Sequence, residues 1–505
     1  MKRILQAFLL LATPALGQST PPLSNEQKTA ALVEKLKANP AALRILLTEM
    51  PKGGDLHNHL DGSVWAEDFL KWADADGACL DAKTHAIAPG PCQGGQVAAR
   101  GLMTRDPVFY QKSIDALSMR NFVPGLGTGE VNGHDHTFVT FPRFGALVTP
   151  HLGEALAVTR TQAAADHVQY VEQITDPAGV FSPALLGAVK NFSASDFDAN
   201  LAQVAPLLPG LVAAARAEYD AAEARMRSEL SCGTAAARPG CDITVRYLFF
   251  VLRTIPPEQA FAQMALGYAL AAADPRFVGI NLVAPEDDGV ALRDFSLHMR
   301  MFAWFRARDP GVRISLHAGE LWLGMVPPSG LGFHIRDSIA IAGAARIGHG
   351  YALNFERDAA GLLAQMAKAG IAVEINLTSN EITTNVTGGD HPLRTYMRAG
   401  VPVSLSADDE GVFRIDLTHE YVRAAREQRL TYAELKASAR NGLTYSFLPG
   451  ASLWDSGTRK VAACRREGHS CESFLKTSQK AALQAQLERE FSRFEARAAT
   501  GGFPN

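Results

Sequence analysis

Seven polar residues, scattered over most of the chain, could together carry out a hydrolysis: His57, His59, His317, Glu320, His349, Asp408 and Asp409. His57 and His59 flank a single residue, the spacing at which two side chains of one strand point the same way. Glu320 follows His317 by three positions, and Asp408 and Asp409 are adjacent. Each feature also has a purely structural reading. An HxH pair need not meet a metal, a His-x-x-Glu can open a helix with a capping carboxylate, and an Asp pair can sit in a loop or cap a helix. As a set, three imidazoles and one carboxylate make a donor group suited to Zn²⁺. A closed structural site would leave Glu320 and His349 without a task. A catalytic site needs a water molecule and neighbours that move protons, and these two residues could be those neighbours.

Such residues act together only if the fold brings them to one place. Short apolar runs bounded by turn residues predict eight strands: Gly54–His59, Val168–Thr175, Ile243–Leu252, Phe277–Val283, Arg313–His317, Arg346–His349, Ala372–Leu377 and Pro402–Ala407. Helical patterns lie between the later ones, at Asp337–Ala345, Glu356–Ala369 and His391–Ala399. Strand–helix alternation implies parallel pairing, and eight units imply a (β/α)8 TIM-type barrel of the metal-dependent hydrolase kind over 51–456. His57 and His59, His317, His349 and the Asp408-Asp409 pair all fall where strands one, five, six and eight end. Those ends face one mouth of a barrel, where active sites sit. The flanks exceed a minimal barrel. A helical stretch, Asn25–Met50, fills much of 18–50. Lid insertions are expected at about 76–160 and 176–242, with Arg105–Phe144 the aromatic-rich lid segment. A charged helical extension, Gly457–Phe503, ends the chain.

Four segments resemble the adenosine deaminase family: Leu56-His57-Asn58-His59-Leu60-Asp61-Gly62, His317-Ala318-Gly319-Glu320, Gly348-His349-Gly350 and Ser406-Ala407-Asp408-Asp409. They occur in the family's order over most of residues 50–445. Glu374-Ile375-Asn376-Leu377-Thr378-Ser379-Asn380 is similar to the family's seventh-strand motif. The early insertions, paired cysteines and N-terminal helix resemble the family's extracellular, growth-factor-related branch and its exported bacterial relatives. The resemblance implies one Zn²⁺ held by His57, His59, His317 and Asp408. It implies that Glu320 gives a proton to purine N1 while water attacks C6, and that His349 orients this water and helps take its proton. It places Asp409 on N7 of the base and Asp61 on the ribose 5′-hydroxyl. Gly279-Ile280-Asn281-Leu282-Val283-Ala284-Pro285-Glu286 matches the fourth-strand motif with Ala284 where the family usually has Gly. Its backbone N–H would reach N3 by a tighter approach.

The implied reaction is hydrolysis of adenosine or 2′-deoxyadenosine to the inosine counterpart and ammonia. Zinc brings the pKa of a water it binds down to about 7. An aromatic ring resists attack unless N1 gains a proton as C6 becomes tetrahedral, so the carboxyl near N1 must enter protonated, which burial favours. The HxE…PCxxC signature of cytidine-type zinc deaminases is absent. Asp61 favours a free 5′-hydroxyl, because a phosphate would face a carboxylate. Adenine and N6-substituted adenosines remain alternatives within the class. Outside it stand a different amidohydrolase reaction and a binding or signalling protein with a vestigial site. No lysine occurs in the eight predicted strands, against a lysine-bridged pair of metals, and the reacting positions are all intact, against decay.

The remaining sequence sets the context. The 505 residues are 47% hydrophobic and 20% charged, with a net charge of −3, so nothing indicates a nucleic-acid partner or a polybasic membrane binder. Lys2 and Arg3, the apolar run Ile4–Ala12 and the small residues Ala15-Leu16-Gly17 read as a signal peptide over 1–17. The mature chain would be periplasmic or secreted, and no segment is long enough to span a membrane. Six cysteines fall into three close pairs without CxxC spacing, which in an oxidising compartment predicts the disulfides Cys79–Cys92, Cys232–Cys241 and Cys464–Cys471. The terminal helical segments are expected either to mediate a homodimer or to pack on their own barrel.

Overall fold

All eight predicted runs are strands in the computed structural model, which describes residues 23–466 and 468–503. They are β1 (Gly53–His59), β2 (Val168–Thr175), β3 (Thr244–Leu252), β4 (Phe277–Val283), β5 (Arg313–Ala318), β6 (Arg346–His349), β7 (Ala372–Ile375) and β8 (Val403–Leu405). They pair in that order, each pair parallel. The seam between β8 and β1 is closed by backbone at the site itself. The His59 N–H donates to the Asp408 carbonyl at 3.0 Å, and the Asp408 N–H donates to the His57 carbonyl at 2.9 Å. Strands covered by crossover helices outside and by side chains inside are buried on both faces, as β1, β2, β6 and β7 are throughout.

Below the mouth, the barrel interior is polar. The Arg346 guanidinium on β6 donates to Glu172 on β2 and to Glu374 on β7, and it lies 3.7 Å from the centre of the Phe447 ring. All three charged groups are buried. Their paired charges satisfy one another, which a low-dielectric interior demands.

Several boundaries differ from the sequence reading. The expected single helix Asn25–Met50 is two, Asn25–Leu36 and Pro40–Thr48. Proline has no N–H to continue a helix, so the Asn39 side chain caps a new start by accepting the Ala42 N–H. The predicted helix Asp337–Ala345 is displaced to a short α-turn, His334–Asp337, running into a π-turn, Ser338–Ala342. The helix at His391–Ala399 is shorter, Leu393–Arg398, because Pro392 sets its start. Strand seven stops at Ile375, and the helix Leu377–Thr384 begins at once.

The insertion after β1 holds a three-stranded antiparallel sheet and, beyond it, the helix Gly133–Phe144. The insertion after β2 includes the long helix Leu208–Glu229. Disulfides join Cys79 to Cys92, Cys232 to Cys241 and Cys464 to Cys471, all outside the barrel strands. The terminal helices Asn25–Leu36 and Gln479–Ala499 pack against each other and against their own barrel's Tyr432–Thr444 helix. Lys436 on that helix donates to Glu495 at 2.6 Å and to Glu26 at 3.1 Å. The predicted export signal, residues 1–17, lies outside the described residues. Among the described residues, no helix is long and apolar enough to cross a membrane.

Candidate active site

Strand alternation points His57 and His59 into the mouth from β1, while β5 and the end of β8 bring in His317 and Asp408. The ligand atoms of these four residues lie within 4.8 Å of one another, and all four residues are buried. His57 Nε2 is 2.9 Å from His317 Nε2, and His59 Nε2 is 3.1 Å from the same atom. Asp408 Oδ1 is 3.4 Å from both His57 Nε2 and His59 Nε2. The opposite ring nitrogens are held by acceptors. His57 Nδ1 donates to Glu374 Oε2 at 2.7 Å, and His317 Nδ1 donates to Asn281 Oδ1 at 2.9 Å. A neutral imidazole carries one proton, so both Nε2 atoms present lone pairs to each other across 2.9 Å. Two lone pairs at that distance repel unless a cation lies among them. The donor set therefore fits a divalent metal, and Glu374 and Asn281 are the orienting partners that metal-binding histidines require.

Burial pushes His57 down, but Asp408 and Glu374 outweigh it and raise it to about 10, so the cluster favours a positive charge. Burial pushes the Asp408 carboxyl up, but His349 and His57 outweigh it and hold the group well below the usual carboxylate range. Burial and the neighbouring imidazoles push His317 far down, and burial takes His59 down to about 3. Both are thus neutral ligands.

A cavity of about 430 Å³ opens above this cluster. His59, His317 and Asp408 form its floor, and Glu320, His349, Asp409, Asp61 and Ala284 also line it. Every predicted site residue that faces solvent-accessible space is therefore in one chamber, while the fourth ligand, His57, is buried beside it. His349 Nδ1 donates to Asn380 Oδ1 at 2.9 Å, and Asn380 Nδ2 lies 2.9 Å from His391 Nε2. This fixes the ring and turns Nε2 towards Glu320 Oε1 at 3.6 Å and Asp408 Oδ2 at 3.8 Å. Burial raises the Glu320 carboxyl above its ordinary range against the pull of His349 and Arg253. Burial, then Asp408 and Asp61, raise Asp409 far above its own. Asp409 Oδ1 is buried without a partner, and Gly62 makes room for it, since a methyl there would stand 1.8 Å from that oxygen. Burial lifts Asp61 to about 6.

Three strand-end residues hold left-handed backbone: Ala284 (φ +83°), His349 (φ +62°) and Asp408 (φ +63°). The fourth-strand position where the sequence carries Ala thus has a conformation that suits glycine, at a cost of about 1–3 kcal/mol. Such strain persists where the surroundings fix it, as at functional sites.

The sequence reading gave no role to Glu374, Asn281, Asn380 or His391, which orient the imidazoles. Three of the four stand inside the strand-end motifs already recognised; what was missing was the cross-strand partner of each. Of the segment expected to form a lid, Phe138 and Phe141 on Gly133–Phe144 line the cavity, joined by Phe181 from the second insertion.

The fold is that of the amidohydrolase barrels. The chain is similar to an amidohydrolase from Burkholderia ambifaria solved with bound zinc, at 18% identity over 91% of this chain and 95% of that one, with a TM-score of 0.54. It is similar to the Arabidopsis protein ADAL solved with IMP, at 20% identity over 89% and 99% of the two chains, with a TM-score of 0.55. Within that class, residues 207–453 match the sequence profile of the adenosine deaminase family. An adenosine deaminase from Serratia proteamaculans is 41% identical over 144 residues, which is 28% of this chain and 40% of that relative. One from Pectobacterium atrosepticum is 34% identical over 217 residues, 43% and 58% of the two. The chain thus spans between two fifths and three fifths of the length of these relatives. The matched profile contains β3 to β8. His57, His59 and Asp61 precede it; the seam between β1 and β8 brings His59 and Asp61 into the chamber and His57 beside it.

Proposed function

We propose that this protein is a zinc-dependent deaminase of unphosphorylated aminopurine nucleosides, adenosine or 2′-deoxyadenosine first among them, acting outside the cytoplasm. The observation that carries the reading is the grouping of Glu320, His349 and Asp409 in one chamber directly above three imidazoles and a carboxylate. Zinc on His57, His59, His317 and Asp408 would supply the Lewis acidity that makes water a nucleophile near neutral pH. The chain's own groups do the rest. Glu320, whose protonated form burial favours, donates its proton to N1 as C6 is attacked. His349, with Nδ1–H committed to Asn380, has Nε2 free to accept the attacking water's proton. Asp409, held neutral, has a proton to donate to N7. Asp61 accepts from the 5′-hydroxyl, and the Ala284 N–H donates to N3. Water and the aminopurine give the 6-oxopurine and ammonia.

The walls support an unphosphorylated substrate. Among the described residues lining the cavity none is Lys or Arg, whereas Asp61 and Asp288 are present. A 5′-phosphate would lie among carboxyls without a cation to meet it. Three disulfides support an oxidising compartment and hence export.

The test is ammonia release from a panel of adenosine, 2′-deoxyadenosine, AMP, adenine and N6-methyladenosine, with and without a chelator. Adenosine should be turned over, chelation should stop it, and AMP should have a kcat/KM lower by roughly two orders of magnitude or more. Glu320→Gln should lower kcat by about 10³-fold while metal stays bound. No ammonia from any aminopurine, or Glu320→Gln at full rate, would refute the proposal.

A further inference from the structure

Glu320 sits in a loop just past β5, yet its task requires placement to a fraction of an ångström. Gly319 before it takes left-handed backbone (φ +69°), and a methyl there would come within 2.7 Å of the Ile335 side chain, so the turn is tight. What anchors this turn is a buried carboxylate on the neighbouring strand's end. Glu286 Oε2 accepts the Glu320 N–H at 2.6 Å, and Oε1 accepts the Gly319 N–H at 3.2 Å. The same Oε1 accepts from His334 Nδ1 at 2.6 Å, and Arg253 Nη1 stands 3.7 Å away. His334 is fixed in turn by stacking on Phe295, with centroids 4.1 Å apart.

We infer that Glu286 is the positioning residue for Glu320, clamping the backbone of the proton donor from the adjacent strand. Glu286 does not line the cavity, so it acts only through Glu320. Burial pushes its carboxyl up, but His334 and Arg253 outweigh this, so it serves as an anion. Only a carboxylate fits. Three N–H donors converge on two oxygens, and glutamine would offer one oxygen and set an N–H against an N–H. His334 and Arg253 hold the clamp rigid, and Arg253 Nη1 also donates to the His317 carbonyl at 3.4 Å, so Glu286 itself touches no metal ligand while Arg253 does. The inference rests on the deaminase reading of Glu320, but part of its test does not.

The experiment compares the metal-loaded full chain with its Glu286→Gln variant in two measurements. Hydrogen exchange at the amides of 319 and 320, read by mass spectrometry, should quicken at least about tenfold in the variant, whatever the reaction is. The kcat for adenosine should fall about a hundredfold, with KM and zinc affinity by chelator competition each within about threefold. Unchanged exchange, or kcat within about threefold of wild type, overturns the inference. So does a joint loss of kcat, KM and zinc affinity, which a general structural role would produce. If Glu286→Gln does not fold, His334→Phe, which keeps the stacking ring and removes one donor, is judged by the same criteria. A wild type that deaminates nothing refutes the proposed function by itself, and the exchange measurement still decides the clamp.

Discussion

His57 shows how a single residue is governed by what stands behind it. Its Nδ1 proton goes to Glu374 at 2.7 Å, which leaves Nε2 as the ligand. Partners of this kind typically change metal affinity by 10–100-fold. Glu374→Gln should therefore weaken metal binding by about that factor, measured by chelator competition on the zinc-loaded chain, with the fold retained. Affinity within threefold of wild type would mean that Glu374 does not orient His57. The residue motifs carried most of the site: His57, His59, His317, Glu320, His349, Asp408 and Asp409 were legible because each lies at or just past the end of a strand. Glu374, Asn281 and Glu286 were not assigned roles, because a hydrogen bond between strands has no signature in the order of residues along either one.

At the level of elements, two buried ionisable groups hold the strands and helices that carry these residues. Arg346 on β6 bridges Glu172 on β2 and Glu374 on β7. Replacing it by Met leaves two carboxylates buried without a cation, which should cost about 3–5 kcal/mol in denaturant unfolding. A loss below about 1 kcal/mol would show that the network contributes little. Glu420, on the helix Leu417–Arg426, caps the helix Leu377–Thr384 by accepting the Leu377 N–H at 2.6 Å. That second helix carries Asn380, the partner of His349. Burial lifts the Glu420 carboxyl to about 7, opposed by Thr378 and Arg423. Its ordinary value is 4.5, so between these two the folded chain holds a proton that the unfolded chain has released. Stability from this group is therefore greatest below about 4.5 and falls as pH rises to about 7, by about 3 kcal/mol in all. Glu420→Gln should flatten the fall in thermal stability between pH 5 and pH 7. An identical slope in variant and wild type would count against the assignment.

Across the whole molecule, the barrel's seam and its local staples do different work. The seam joins β1, which precedes the conserved profile match, to β8, and it places two ligands from the start of the chain beside one near its end. The disulfides close short loops with sequence separations of 13, 9 and 7 in the insertions and the C-terminal extension. Each should stabilise by roughly 2–3 kcal/mol in the chain-entropy account, less any native strain. Adding a reductant should lower the thermal midpoint while a bound metal is retained, since no cysteine lies in a barrel strand or among the site residues. A midpoint that ignores reductant would show these loops to be independent of the cooperative fold. Metal loss on reduction would show the opposite coupling.

The sequence by itself determined the eight strands, their parallel order and the chemical character of the mouth. Strand periodicity and turn residues are local signals, and a barrel has one end where strand-terminal side chains converge. It also determined the cysteine pairs, which lie close along the chain. The tertiary structure alone decided which group stands behind which. It set the Arg346 bridge beneath the floor, the Glu374 and Asn281 partners of the imidazoles, and the aromatic side chains that line the chamber. It also set the cation-free walls and the left-handed backbone at Ala284. Each depends on the register of neighbouring strands and on the closure of the seam. Those are properties of packing among distant segments, and a side chain's pKa and aim are fixed only when that packing is complete.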